Sequence, residues 1–449
     1  MPATSVTTRR TDTPSTTRAA RAGLLGTVAL VALAIAVPVV IGWDVHVKSF
    51  PPLHASWDPR VGPGTTPALL LGVLAGVWAV DLAVRLTWRR LLATTYAGGL
   101  VWMVALALVD GRDGLGRILG THYEYLQTAR ATTDLPHTLD VFVSRIPADA
   151  QPSPWPVHVA GHPPGALSFF VLLVRLHLGG DLAAGLVVTV LAASTAVAVL
   201  VTLRTLGAEG MARRAAPFLA FGPAAIWQCV SADGMFAAVA AWGMAALAVA
   251  ATRRRTTWAV LAGLLLGYAV MLSYGLPLLS LLAIAVLVVA RTWRPLVPAA
   301  LAAAGVLLVY AAFGFAWWEA LPVLRERYWS GVASRRPAAY WMWGDLAALA
   351  VSAGPLVGAG LAHTVSRRRV ALADPGGRVV VWLVGAAVAM VLAADLSQMS
   401  RAEVERIWLP FVPWLLLGCA LLPESWRRRG LVLQVVVALA VQHLLSTGW

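Results

Sequence analysis

Residues Ala22 to Trp43 read AGLLGTVALVALAIAVPVVIGW, without one charged side chain. A helix rising about 1.5 Å per residue needs roughly 20 such residues to cross the hydrocarbon core of a bilayer. The run is long enough. It exceeds a signal-peptide core and lacks a small-residue cleavage site, so it reads as a retained anchor. Upstream, residues 1–21 (MPATSVTTRRTDTPSTTRAAR) are basic and Ser/Thr-rich, the composition of a disordered cytoplasmic tail.

Downstream the same signal recurs. Apolar runs fall at 67–84, 91–109, 163–178, 182–203, 215–231, 233–251, 256–273, 275–290, 295–316, 345–365, 378–394, 407–423 and 430–447. Lipid offers no partner to an unpaired backbone amide, so each should be helical. The sequence therefore predicts an all-α, polytopic transmembrane bundle, with residues 22–449 as a single membrane domain. A chain 59% hydrophobic and 12% charged is no soluble enzyme. Its formal charge of +14 falls in arginine runs between apolar segments, which points to the positive-inside rule and away from nucleic acid. The Ala, Arg, Gly and Trp bias suggests a high-GC bacterial genome and hence the bacterial plasma membrane. Cys229 and Cys419 lie far apart in apolar surroundings and read as inert buried thiols.

The arginine clusters at 85–90, 253–255, 291–294, 367–369 and 427–429 put the N-terminus in the cytoplasm and the loops 44–66, 110–162, 317–344 and 395–406 outside. Arg204, Arg213 and Arg214 also belong inside, which the two runs between 163 and 203 cannot satisfy if both cross. The run from Pro163 is short and opens with a Pro pair, so it is read as tilted, interfacial or re-entrant. About 13 spans remain, within a range of 12–14.

The external loop 110–162 holds most of the polar chemistry and is the expected active-site loop. In THYEYLQTAR (121–130), Glu124 stands between Tyr123 and Tyr125, a general-base candidate with phenols to orient a sugar hydroxyl or phosphate. The plainer reading pairs Glu124 with Arg130 or Arg117 at a helix start. In WPVHVAGHPPG (155–165), His158 and His162 could flank a divalent cation or bind phosphate, or simply sit at the interface. Asp110 and Asp113 open the loop beside Arg112 and Arg117. Asp233, in SADGMF, is either an N-cap or a functional acid at the mouth of an apolar helix. Arg335, Arg336 and Arg406 lie on the outer side against the charge bias, which suits a lipid phosphate; a Glu405–Arg406 pair with Trp408 anchoring a helix end is the alternative.

The order of these features resembles the GT-C class of membrane glycosyltransferases. Tyr125-Leu-Gln-Thr-Ala129-Arg130 followed by His162-Pro163-Pro164 matches that pattern, Asp233 resembles its recurrent helix-head Asp, and YGLPLL from Tyr274 looks like another of its elements. The acidic pair that the class carries before the Tyr falls here on Thr121 and His122, so Glu124, Asp110 and Asp113 all stand as candidate bases. HPPG and EVERIWLPF are also similar to stretches in integral membrane proteins of high-GC Gram-positive bacteria. The resemblance implies a polyprenyl-phosphate sugar donor, a glycan, lipid or protein acceptor, and a phosphate or substrate site drawn from Tyr125, His158, His162, Asp233, Tyr274, Arg335, Arg336, Glu405 and Arg406. A transporter or lipid-linked-saccharide flippase, or a non-catalytic partner in envelope assembly, is the competing expectation.

Overall fold

The computed structural model describes residues 14–448, with side chains from Thr17 on. It is mostly helical, and its two strands form one ladder joining Ala55–Trp57 to Leu445–Thr447. The first helix, Pro14–Ile41, reaches back into the stretch expected to be a disordered tail; residues 1–13 of that tail lie outside the described residues. Thr16 and Thr17 precede Arg18, Ala19 and Ala20, and these good helix formers extend the apolar run.

Among the described residues, six helices are long and apolar enough to cross a membrane: Thr17–Ile41, Thr65–Arg85, Trp88–Gly120, Asp181–Thr205, Ala232–Arg253 and Pro375–Ser397. Two bent pairs raise the number to eight, and four further apolar helices are shorter. The chain is a helical membrane protein. The expected count of about 13 goes beyond these six to eight, because apolar length in a sequence does not reveal where the backbone bends or how long each helix runs.

One such break is well supported. The helices Ala338–Ser352 and Leu356–Ser366 meet at 104° around Gly354, whose φ is +82°. Irregular backbone inside a bilayer must find polar partners within the protein. Gln434 supplies them: its Nε2 donates to the Ala353 carbonyl at 2.7 Å and its Oε1 accepts from the Leu356 amide at 3.2 Å.

The bundle has two chemically distinct ends. At one, Arg213 donates to the carbonyls of Ala83 and Leu86 and pairs with Glu209, Arg204 pairs with the same Glu209, and Arg428 pairs with Asp81. At the other, the four loops expected to be external interlock. Arg60 pairs with Asp110, Arg327 donates to the Trp155 carbonyl at 3.0 Å, and Arg336 donates to the His46 carbonyl at 3.3 Å. His54 there donates its amide to Glu405 at 3.2 Å.

The Gly165–Arg175 helix begins and finishes at this second end. Gly165 packs on Met271 and its carbonyl accepts from Tyr268, while just past the helix Arg130 binds the Gly179 carbonyl and Asp181. Its 11 residues rise only about 16 Å. Both ends of this short helix thus lie at the loop-covered end of the bundle.

The Ala232–Arg253 helix is the centre of the bundle and is buried nearly all round. Its alanines and glycines let the Asp181–Thr205 and Thr256–Leu272 helices approach closely. Its N-terminus opens into the loop-covered end.

Candidate functional site

Ser231 precedes that helix with extended backbone, and its hydroxyl accepts from the amides of Asp233 and Gly234 at 3.1 and 3.4 Å. Ser231 is thus the N-cap. Asp233, freed from that role, points its carboxylate at Arg406, whose Nη1 lies 2.6 Å from Oδ2, with both side chains at most 5% exposed. Just before the cap, Val230 holds φ at +54°, a conformation that a β-branched residue rarely adopts. Its amide is secured by the Thr189 hydroxyl at 3.0 Å. Strain of this kind gathers at functional sites.

Arg406 is the hub. Its Nη2 lies 3.5 Å from His158 Nε2 and 3.8 Å from Glu403 Oε2. His158 Nδ1 in turn sits 2.7 Å from Glu124 Oε1. With Nδ1 donating to the carboxylate, Nε2 is left to accept from the guanidinium. Glu124, His158, Arg406 and Asp233 therefore form one buried chain drawn from four segments. Glu124 stands at the N-cap position of the Tyr125–Ala131 helix without capping it, and its other oxygen, Oε2, is buried with no partner among the described residues.

The electrostatics follow from this packing. Burial pushes the Glu124 carboxyl up, but His158, its hydrogen bond and Arg406 outweigh burial and hold it below the ordinary carboxylate value. Burial alone would weaken the charge on Arg406, yet Asp233, Glu124 and Glu403 hold the guanidinium protonated. Burial lowers His162, whose Nδ1 faces the His158 carbonyl at 2.8 Å and whose ring leans on Tyr125 and Phe236. The Tyr125 hydroxyl is buried without a partner and is kept from ionising by burial and by Glu124.

A second layer braces the hub. Ala402 and Glu403 hold consecutive φ values of +68° and +64°. Asp345 accepts from the Ala402 amide at 2.9 Å, and Arg336 binds Glu403 at 3.1 Å and the Arg401 carbonyl at 2.6 Å. All three guanidinium nitrogens of Arg336 are thereby committed to protein acceptors.

The structure thus brings together Glu124, Tyr125, His158, His162, Asp233 and Arg406, with Arg336 and Glu405 at their margin. Several pairings differ from the sequence reading. Arg130 goes to Asp181 rather than Glu124. Asp110 pairs with Arg60 and accepts from Gln442 at 2.9 Å, with neither Arg112 nor Arg117 as its partner. Asp113 lies with Asp110 in a neighbouring cleft outside the chain. Arg406 pairs with Asp233 and Glu403 and not with its neighbour Glu405, because adjacent residues in a helical turn face different directions. Trp408 is 1% exposed, so it packs in the core instead of anchoring an interface. Arg335 is exposed, and the ring of Tyr274 packs on Trp317. Among the described residues no group of three or more His, Cys, Asp or Glu side chains converges to hold a metal. Glu403 and His54 were not singled out; their roles arise from pairings across hundreds of residues that leave no local pattern.

Fold and site together define a polytopic helical membrane protein with a buried charged chain under the loops of one end. No family model matches the chain, and no curated protein is significantly similar to it.

Proposed function

We propose that the protein is a GT-C-like inverting glycosyltransferase that takes a sugar from a polyprenyl-phosphate donor at the outer face of the bacterial plasma membrane. The observation that carries this reading is the Glu124 carboxylate: one oxygen is fixed by His158 and the other is buried and unpartnered. A base must be ionised at working pH and must keep a lone pair free for its proton. Glu124 meets both conditions.

In this mechanism Glu124 Oε2 takes the proton of an acceptor hydroxyl as that oxygen attacks the anomeric carbon. The bond from that carbon to the lipid phosphate oxygen breaks, and the phosphate leaves with the electron pair. His158 orients Glu124, and Arg406 keeps it ionised while Asp233 holds Arg406 in place. The Tyr125 hydroxyl, beside Glu124 in sequence, is a donor for a sugar oxygen.

The orientation belongs to the same proposal. If the arginine-rich end is cytoplasmic and the helix after Pro163 does not cross, the chain makes about 13 crossings, other short and broken helices included, and both Glu124 and the Leu445–Thr447 strand lie outside. The transport alternative needs charged groups along a path between the ends. Asp81 pairs with Arg428 at the arginine-rich end and Asp233 belongs to the site, which supports an enzyme over a conduit.

The test is transfer of labelled sugar from polyprenyl-phosphate donors by the purified protein in lipid, wild type beside Glu124→Gln. The expected result is a loss of at least about 100-fold on substitution. Transfer that survives the substitution removes Glu124 as the base. A folded protein silent across a broad donor and acceptor panel overturns the transferase reading.

A further inference from the structure

The departing phosphate needs a cation, and Arg406 and Arg336, the buried arginines of the site, are poor candidates. Arg406 faces Asp233 and Glu403, and Arg336 has all its nitrogens on Glu403 and on the carbonyls of His46 and Arg401. Their positive charge is already matched within the protein. A guanidinium in that state gains little from a second anion and would have to abandon a buried carboxylate to bind one.

Next to the buried chain lies a polar cleft of about 330 Å³, lined by Lys48, Arg60, Asp110, Asp113, Arg117 and Gln442. Arg60 and Gln442 are both engaged by Asp110. Lys48 and Arg117 are exposed and form no ion pair among the described residues. The cleft therefore offers two cations whose charge is not internally matched, beside a carboxylate, Asp113, suited to accept from sugar hydroxyls. Its size suits a hexose phosphate.

The cleft also borders the proposed base. Thr121 and Val230 line it, the Thr121 carbonyl accepts from the Glu124 amide at 3.2 Å, and Val230 stands three residues before Asp233. On its far side Lys48 approaches Gly448 and His54, and His54 binds Glu405. A sugar lying in the cleft is thus separated from Glu124 by a single turn of backbone.

We infer that this cleft binds a phosphorylated sugar, with Lys48 and Arg117 on the phosphate and Asp113 on the sugar hydroxyls. This rests on the transferase reading above for its role, although binding itself does not require transfer. The phosphate could belong to a phosphorylated acceptor or to the lipid-linked donor.

Two titrations on the full chain in lipid nanodiscs distinguish these sources: glucose 6-phosphate against glucose by calorimetry, and undecaprenyl-phosphate mannose against undecaprenol by native mass spectrometry. In each arm the wild type is compared with Lys48→Ala/Arg117→Ala and with Glu124→Gln. The phosphorylated ligand should bind at least about tenfold more tightly than its neutral counterpart in one arm, identifying the source. The double variant should lose that margin, and Glu124→Gln should keep it. Equal binding of charged and neutral ligands in both arms, or a margin that survives the double variant, overturns the inference. Melting curves verify folding, and Lys48→Arg/Arg117→Lys, which retains both charges, should retain the margin. Binding without transfer would sink the transferase reading and leave the cleft; transfer with a phosphate preference independent of Lys48 and Arg117 would do the reverse.

Discussion

Arg406 Nη1 lies 2.6 Å from Asp233 Oδ2 although they stand 173 positions apart in the chain, and both side chains are buried. This pair joins the head of the central helix to the last loop of the cluster end. Removing one partner would leave the other charge buried and uncompensated.

Asp233→Ala should therefore destabilise the protein by about 3–5 kcal/mol, and Arg406→Ala by a similar amount. Combining them should cost clearly less than the sum, since the second change removes the charge that the first left stranded. Denaturation of the three variants in mixed micelles measures the coupling. Strict additivity would mean that the pair does not act as a unit.

Tyr125 separates a packing role from a substrate role. Its ring stacks on Phe170 with centroids 5.2 Å apart, and its hydroxyl is buried without a partner. Tyr125→Phe keeps the stack and removes an unsatisfied group, so stability should hold or rise by about 1 kcal/mol. Sugar transfer should nonetheless fall about tenfold or more, because a donor for the substrate is lost. Unchanged transfer would assign Tyr125 to packing alone.

Glu405 gives a pH signature. Burial raises its carboxyl from 4.5 to about 7. Below pH 4.5 it is protonated in the folded and unfolded states alike and has no differential effect. Between pH 4.5 and 7 the unfolded chain releases the proton first, so stability falls as pH rises. Above pH 7 the accumulated loss is roughly 3 kcal/mol. Glu405→Gln, which keeps an oxygen for the His54 amide, should therefore melt higher than wild type at pH 8 and nearly with it at pH 4.5. Equal differences at both values would show that Glu405 does not titrate in this range.

Sidedness can be read by single-cysteine labelling, since Cys229 and Cys419 are buried. Gly180 lies at the loop-covered end and Gly210 at the arginine-rich end, and both are exposed with open space where a Cβ would stand. Gly180→Cys should react with an impermeant maleimide from outside intact cells, and Gly210→Cys only after permeabilisation. The opposite pattern would invert the orientation and put Glu124 in the cytoplasm.

The helical membrane class was legible from the apolar runs, and the gathering of the four loops from the arginine pattern. The run after Pro163, read from charge parity as tilted, interfacial or re-entrant, forms a short helix with both ends among the loops. The bend at Gly354 was not legible, since the residue that makes it tolerable, Gln434, lies 80 positions away. The site divides in the same manner. Glu124, His158, Asp233 and Arg406 stood out as ionisable groups beside apolar runs, but which carboxylate meets which arginine is a tertiary fact. Arg130, Asp110 and Glu405 were all assigned neighbours close in sequence and found theirs elsewhere. Local spacing favours near partners; a folded bundle offers far ones.

The separation between Asp233 and Arg406 also bears on how the protein is made. At about 5–20 residues per second, a ribosome needs roughly 9–35 s to add the 173 residues from Asp233 to Arg406. Through that interval the central helix must enter the membrane with its acid lacking the arginine that will neutralise it. The cluster end can close only when the last third of the chain arrives, so assembly of the site is among the final events of biogenesis, and a ribosome that stalls before Arg406 leaves a half-built bundle with an unmatched acid for quality control to find.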